Sequence, residues 1–328
     1  MNRRSFLFKS LATTALVSTI GTQNLFASTS KIDEAVKNVD PNPKKFKIKF
    51  APNIYNWTNI FPVSYKGMTL AEKMDFLGKL GFIAYEDNDF LHRKPEDQEI
   101  ILNATKKYNM AFGVFTVPIK GKFVLTENKL GESKKADKQA ALAHSAEAVE
   151  TAAKMAKKIG AKWITVVPGY LHERLLDMDV FANVLEHLRP MAKICESYNV
   201  TMVLEPLCHV NHHGVWLKKT SQAYAMCKAV NSPSCKILFD VYHQQTDEGN
   251  LFRNIEKHFD EIAYFHLGDA PLRTEPLSGE INYHNLIKHI VNLGYTGILG
   301  MEHKLSDKSL EGERKMMRAY RSLDFQNV

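Results

Sequence analysis

The chain has 328 residues, of which 45% are hydrophobic, 24% are charged and 10% are aromatic. These fractions are typical of globular proteins and exclude wholesale disorder and collagen-like structure. Four cysteines without a CxxC pair are too few for a disulfide scaffold and argue against a thiolate zinc site. The net charge of +7, taken alone, agrees with a nucleic-acid or membrane-surface partner.

Residues 1–27 have the pattern of an export signal. Arg3, Arg4 and Lys9 precede an apolar stretch over 11–20, and Ala27 is a candidate cleavage position. The apolar stretch is too short for a permanent membrane span, and the run Arg-Arg-Ser-Phe-Leu favours twin-arginine export in bacteria. An ordinary Sec signal and an uncleaved anchor are the alternatives. We expect a periplasmic protein without a stable membrane span after processing, whose net charge falls to +4.

The next segment, residues 28–45, is polar and contains Pro41 and Pro43. This composition predicts a linker before the folded domain, which we place at residues 46–328.

From residue 46 onward, short apolar runs alternate with amphipathic helical patterns. The runs lack polar–apolar alternation, which is typical of parallel strands buried on both faces. The predicted strands are Ile48–Pro52, Ile83–Glu86, Ala111–Phe115, Trp163–Val167, Met202–Glu205, Ile237–Asp240, Ile262–His266 and Ile298–Glu302. Helices are predicted over Leu70–Leu80, Lys135–Ile159 and Leu286–Leu293, each followed by a glycine that can end it.

Eight such units in about 260 residues predict an α/β fold, a single-domain (β/α)8 TIM barrel. A doubly wound open sheet is the alternative. It is disfavoured because no GxGxxG or GxxxxGK[ST] loop follows an early strand.

Four consecutive predicted strands end in Glu205, Asp240, His266 and Glu302. In a barrel these ends converge on the carboxyl-terminal face, where active sites are built. Three carboxylates in one mouth repel each other unless a divalent cation neutralises them. An oxygen-rich set with one imidazole suits Mn²⁺, Mg²⁺ or Co²⁺ better than structural zinc. Each residue alone could simply cap a helix or meet solvent, but four in succession favour a shared site.

Further polar residues follow the same strand ends and are candidates for holding substrate. They are His243, Arg273, Glu86 and Lys304. His243 could instead pack at a helix start, and Lys304 could be a surface lysine.

Three segments carry a resemblance to a known family: FDVYHQQTDEGNL at 239–251, HLGDAPLRTEPLSGEINY at 266–283 and LGYTGILGMEHK at 293–304. With them, the stretch from residue 46 to about 304 resembles the hydroxypyruvate isomerase branch of the xylose-isomerase-like TIM barrel superfamily. The resemblance implies that Glu205, Asp240, His266 and Glu302 hold the metal and that the two glutamates transfer the proton. It further implies that His243 and Arg273 bind substrate, and that the barrels associate as dimers or tetramers.

One position departs from that branch. Hydroxypyruvate isomerases carry Gln where this chain has His266, whereas the similar ketose 3-epimerases carry His. We therefore expect a metal-dependent isomerase that interconverts hydroxypyruvate-like or ketose and aldose substrates through an enediolate. A ketose 3-epimerase, a keto-sugar or inosose dehydratase and a non-catalytic sugar-binding protein stay open as alternatives.

Endonuclease IV-type DNA repair enzymes share this superfamily and use a three-zinc cluster with histidines on early strands. The first three predicted strands here end in Pro52, Glu86 and Phe115, and Pro168-Gly169 follows the fourth, without such a histidine series. The predicted partner is therefore a small sugar or hydroxy-keto acid, and no nucleic acid.

Overall fold

The computed structural model describes residues 30–54, 58–130, 136–171 and 175–325. The predicted signal peptide, residues 1–27, lies outside these ranges. Within them, no helix combines the length and the apolar character needed to cross a bilayer.

Parallel strands alternate with helices along the described chain. The strands are β1 (Lys49–Ala51), β2 (Ala84–Tyr85), β3 (Ala111–Phe112), β4 (Trp163–Val166), β5 (Thr201–Leu204), β6 (Cys235–Asp240), β7 (Ile262–Leu267) and β8 (Ile298–Met301). The helices are α1 (30–39), α2 (Leu70–Lys79), α3 (Pro95–Tyr108), α4 (Val124–Glu127), α5 (Lys138–Ile159), α6 (Asp177–Tyr198), α7 (Thr220–Val230), α8 (Val241–Asp247), α9 (Leu251–His258), α10 (Tyr283–Asn292) and α11 (Leu310–Leu323).

The strands curl into a closed barrel. Six of them pair in parallel in the order β1-β8-β7-β6-β5-β4, and β2 pairs in parallel with β3. Two sets of backbone hydrogen bonds join these sheets: Glu86 N–H donates to Pro52 O (3.2 Å), and Thr165 N–H donates to Phe115 O (2.9 Å). The predicted α/β barrel and all eight predicted strands are confirmed, with ends that differ by up to three residues.

Alternate side chains of each strand point into the barrel, because successive residues of a strand face opposite sides. The interior is filled by a small apolar cluster made of Ala51, Ala84, Val114, Val203, Leu238, Tyr264 and Ile298. On β7, Phe265 faces outward and packs against Phe239 and Tyr295. Tyr264 and His266 therefore point inward, with His266 one level closer to the carboxyl-terminal mouth.

The helix ends show why two of the predicted helices start and stop where they do. Thr69 caps α2 through a reciprocal pair of hydrogen bonds with Glu72. Asp137 caps α5, which starts three residues later than predicted, and Gly160 ends it with φ 75°.

The predicted linker is wrong for residues 30–39, which form α1. Ile32, Val36 and Val39 are buried in the main core, at the three-to-four-residue spacing of one helix face. Arg314 Nε donates to Asn38 O (2.6 Å) and ties this helix to α11. The two prolines that indicated a linker lie beyond the end of the helix.

Ile32→Ala is expected to lower the free energy of unfolding by about 2–5 kcal/mol, the usual cost of truncating a buried isoleucine. Urea unfolding followed by circular dichroism measures the change. The exposed neighbour Lys37 is the control, because Lys37→Ala should change stability by only about 0.5 kcal/mol. Equal stability of the Ile32→Ala and Lys37→Ala proteins would mean that α1 contributes as little as a linker.

Candidate metal centre and active site

Four strand ends bring the predicted ligands together. Glu205 follows β5, Asp240 ends β6, His266 lies in β7 and Glu302 follows β8. One ligand atom from each side chain lies within 4.8 Å of the other three. Across the described ranges, this is the group of acidic, histidine and cysteine side chains that could hold a metal ion. Three carboxylates and one imidazole form the hard, mainly oxygen donor set that divalent cations such as Mn²⁺ and Mg²⁺ accept.

Two cationic side chains lie among these carboxylates. His266 Nδ1 is 2.8 Å from Glu302 Oε2 and 3.2 Å from Glu205 Oε1. Arg273 Nη2 lies between Asp240 Oδ2 (2.9 Å) and Glu302 Oε2 (2.8 Å). The mouth is therefore rich in negative charge. One imidazole nitrogen lies between Glu205 and Glu302, and one guanidinium nitrogen lies between Asp240 and Glu302.

Burial raises the pKa of a carboxylic acid and lowers that of an imidazole, whereas a neighbouring opposite charge has the reverse effect on each. Burial opposes charge on Glu302, but the positive charges of His266 and Arg273 outweigh it and lower the Glu302 pKa. At Asp240, burial prevails over the charge of Arg273 and raises the pKa. Burial opposes the charged ring of His266, yet Glu302 and Glu86 raise the pKa of that imidazole well above its usual value.

The loop after β7 presents Arg273 to the carboxylates. The guanidinium lies over the Tyr242 ring at 5.2 Å, and its Nε donates to Glu302 O (3.2 Å). Arg273 itself has φ 56°, a left-handed conformation that the surrounding contacts must maintain. Asp269 supplies some of those contacts, because it accepts the backbone N–H groups of Gly279 and Ile281, both at 3.0 Å.

His243 is positioned by its neighbour in sequence. Asp240 caps α8 by accepting the His243 backbone N–H (3.0 Å), so the helix starts directly after the strand. Cys208 N–H donates to His243 Nδ1 (3.2 Å), which leaves the ring proton on Nε2, 3.7 Å from Asp240 Oδ2. Burial, and then the charge of Arg273, lower the pKa of His243 to about 3. This ring is therefore a neutral hydrogen-bond donor at the edge of the site.

The family model that describes the xylose isomerase-like TIM barrel matches residues 74–323 of this chain. The chain belongs to this family. It is 32% identical over 168 residues to the hydroxypyruvate isomerase of Escherichia coli strain K12, a match that covers 51% of this chain. The match spans 65% of the E. coli protein, just under two thirds of its length.

Solved structures share the fold. An AP endonuclease, family 2, from Brucella melitensis has a TM-score of 0.66 and 24% identity, over 81% of this chain and 96% of that chain. A D-tagatose 3-epimerase-like protein has a TM-score of 0.64 and 19% identity, over 84% of this chain and 97% of that chain. At these identities the likeness shows the xylose isomerase-like barrel and no activity. The predicted oligomer stays a prediction.

Two of the predicted substrate-binding residues lie elsewhere than expected in this xylose isomerase-like barrel. Glu86 is fully buried inside the barrel, where Tyr264 Oη donates to its Oε2 (2.8 Å). The Lys304 side chain is exposed, and its backbone N–H donates to Arg273 O (2.8 Å). A direct contact of Glu86 with substrate is wrong, because the side chain has no accessible surface. Lys304 therefore holds the loop that carries Arg273 through its backbone N–H rather than through its side chain.

Asn88 was missed by sequence reasoning. Its Nδ2 donates to Glu302 Oε1 (3.1 Å), so it orients a carboxylate of the candidate site. Asn88 follows β2 in the run Glu-Asp-Asn-Asp, and this cluster of polar residues beyond a buried strand was the available signal.

Arg273→Ala is expected to destabilise the metal-free protein by about 3–5 kcal/mol, because Asp240 and Glu302 lose the cation between them. Adding Mn²⁺ should restore part of this loss, since a bound cation supplies the missing positive charge. Urea unfolding with a chelator and then with Mn²⁺ measures both effects.

The control is Arg273→Lys, which keeps the charge but not the planar fork and should lose less stability. Identical unfolding curves for the native and Arg273→Ala proteins in chelator would contradict the assigned charge balance.

Proposed function

We propose that this barrel is a divalent-metal-dependent isomerase that acts on a hydroxypyruvate-like keto acid or on a ketose and aldose pair. The observation that carries the proposal is the placement of the two glutamates. Both approach the same edge of His266, and each keeps 7% of its surface exposed, whereas Asp240 keeps 1% and His266 none. Within the group, Glu205 and Glu302 are therefore the side chains that a substrate in the mouth can reach.

The reaction needs a proton to leave a carbon next to a carbonyl group, and such a carbon is a weak acid. A cation held by Glu205, Asp240, His266 and Glu302 would supply Lewis-acid polarisation of the carbonyl. One glutamate accepts the proton, and the same or the other glutamate returns it to the adjacent carbon. The hydroxyl proton moves to the former carbonyl oxygen, so the product is an isomer of the substrate.

The neighbouring residues suit these roles. Arg273, together with the cation that the four ligands would hold, keeps Glu302 deprotonated at neutral pH, which is the state that a general base needs. Asn88 fixes the orientation of the same carboxylate through its hydrogen bond to Oε1. His243, neutral with its proton on Nε2, is 1% exposed and directs that proton toward Asp240 Oδ2 (3.7 Å), so it is suited to orienting this ligand.

The similarity to the E. coli hydroxypyruvate isomerase supports a small keto acid as substrate. His266 favours a second candidate, ketose 3-epimerase, because the similar epimerases carry histidine at this ligand position. Both reactions use the same proton abstraction and differ in the carbon that loses the proton.

Incubation with hydroxypyruvate or keto-sugars and Mn²⁺ in deuterium oxide, followed by NMR, distinguishes the reactions. Isomerisation predicts deuterium at the former carbonyl carbon of the product and, through the reverse reaction, on the hydroxymethyl carbon of the recovered substrate. Epimerisation predicts deuterium at C3 of a ketose. Mass spectrometry of the same samples detects the loss of water that a dehydratase would cause. Binding of substrate without any exchange would overturn the proposal of an enzyme.

Glu205→Gln and Glu302→Gln are each expected to slow this exchange by about 10²–10⁴-fold, the usual contribution of a positioned acid or base. Glu261→Gln is the matched control. Glu261 is a nearly buried carboxylate directly before β7, at the opposite end of the barrel, where it pairs with Lys228 and Lys236. An unchanged exchange rate in Glu302→Gln on the true substrate would contradict the assigned pair.

We also propose that the protein is exported by the twin-arginine route to the periplasm. Replacing Arg3 and Arg4 by lysine keeps the positive charge that a Sec signal needs but removes the paired arginines. The variant should therefore accumulate in the cytoplasm, as cell fractionation and immunoblotting would show. Lys9→Arg is the control and should be exported normally, and periplasmic recovery of the double-lysine variant would favour Sec export.

A further inference from the structure

A chain of buried side chains lies beneath the metal ligands and consists of Tyr264, Glu86 and His266. Tyr264 Oη donates to Glu86 Oε2 at 2.8 Å, and the same oxygen is 3.5 Å from His266 Nε2. The other ring nitrogen of His266, Nδ1, faces Glu302 and Glu205. The two nitrogens of one imidazole are therefore turned toward different carboxylates.

Among these three side chains, two atoms have no hydrogen-bond partner within the described residues: Glu86 Oε1 and His266 Nε2. Both residues are fully buried. Burying a carboxylate or an imidazole N–H without a partner is costly, so such groups are retained where they serve a purpose. Here a donor nitrogen and an acceptor carboxylate face each other and need to approach by only a few tenths of an ångström to pair.

The barrel wall is shaped to admit this carboxylate. Gly300 on β8 lies against both Glu86 and His266, and a Cβ at this position would collide with the Glu86 carboxylate and the His266 ring. Gly113, just after β3, lies against Tyr264 and Glu86 in the same way. Two glycines therefore provide the space that a buried acidic side chain needs at this level.

An imidazole that binds a metal through one nitrogen must carry its proton on the other. A carboxylate that accepts that proton's hydrogen bond fixes the tautomer and the ring orientation and increases the basicity of the ligand. We propose that Glu86 is the positioning residue that accepts the His266 Nε2–H, so that the Nδ1 lone pair faces the cation. Tyr264 holds Glu86 in place. This inference rests on the proposed metal-dependent function.

Glu86→Gln keeps the shape of the side chain and removes its charge, and should weaken Mn²⁺ binding by about 10–100-fold. Tyr264→Phe removes only the hydroxyl that holds Glu86 and should weaken binding by less than tenfold. Glu261→Gln, at the other end of the barrel, should leave the affinity unchanged. Isothermal titration calorimetry of each folded variant at one pH measures the dissociation constant without any need for substrate.

A second measurement separates positioning from general structural damage. In the native protein with Mg²⁺, long-range ¹H–¹⁵N spectra of the histidine rings should show His266 protonated on Nε2 only, with its signal identified by its loss in His266→Gln. In Glu86→Gln, at a Mg²⁺ concentration that saturates only the native protein, the unoccupied sites should add a second His266 signal with a proton on Nδ1, the nitrogen that faces Glu302 and Glu205. If Glu86→Gln does not fold, the affinity and the ring spectrum of Tyr264→Phe decide.

The outcomes separate this inference from the proposed function. A native chain that binds Mn²⁺, with unchanged affinity and an unchanged His266 tautomer in the variants, overturns the role of Glu86 alone. A native chain that binds no Mn²⁺ overturns the metal-dependent function together with this inference. Weaker binding with a mixed His266 tautomer supports the positioning role.

Discussion

The crowding of buried carboxylates at the barrel mouth is the constraint on which the rest of the site depends. Glu205, Asp240 and Glu302 converge there because three parallel strands end at the same level. Removing such charges from water costs several kcal/mol each unless opposite charge and hydrogen bonds compensate. His266 and Arg273 provide that compensation, and a divalent cation would complete it.

Much of the surrounding structure serves these charges. The loop after β7 holds Arg273 in a left-handed conformation against the carboxylates, and Asp269 and the backbone of Lys304 hold that loop. Asn88, which follows β2, orients Glu302 through the carboxylate oxygen that Arg273 does not contact. A mouth rich in negative charge explains why a net positive chain need not bind nucleic acid. The charge next to the reacting atoms is local and has the opposite sign to the total.

The two candidate reactions belong to groups of enzymes that differ in the residue at position 266, glutamine in one and histidine in the other. In this structure His266 has a contact on each edge of its ring. One edge of its ring faces Glu205 and Glu302, and the other edge faces buried Glu86. A glutamine ligand has no second ring nitrogen to offer to a carboxylate in this way. The buried Glu86 carboxylate therefore faces a ring nitrogen that a glutamine at this position would not supply.

The strands and the convergence of the four candidate ligands could be predicted from the sequence because both depend on local order. Short apolar runs indicate strands buried on both faces, and the carboxyl ends of parallel strands all face the same end of the barrel. The helix at 30–39 was missed although Ile32, Val36 and Val39 are spaced for one face, because the polar residues and prolines around them dominated the pattern.

What only the tertiary structure decided is the depth at which each polar residue lies. In sequence, Glu86 and Glu302 both follow apolar strands, yet one is enclosed below His266 and the other reaches the mouth. The difference arises from Tyr264 on β7, Gly300 on β8 and Gly113 just after β3, which create a polar space for Glu86 inside the barrel. Linear order determined which residues reach the carboxyl-terminal end, and packing between distant strands determined which of them can meet a substrate.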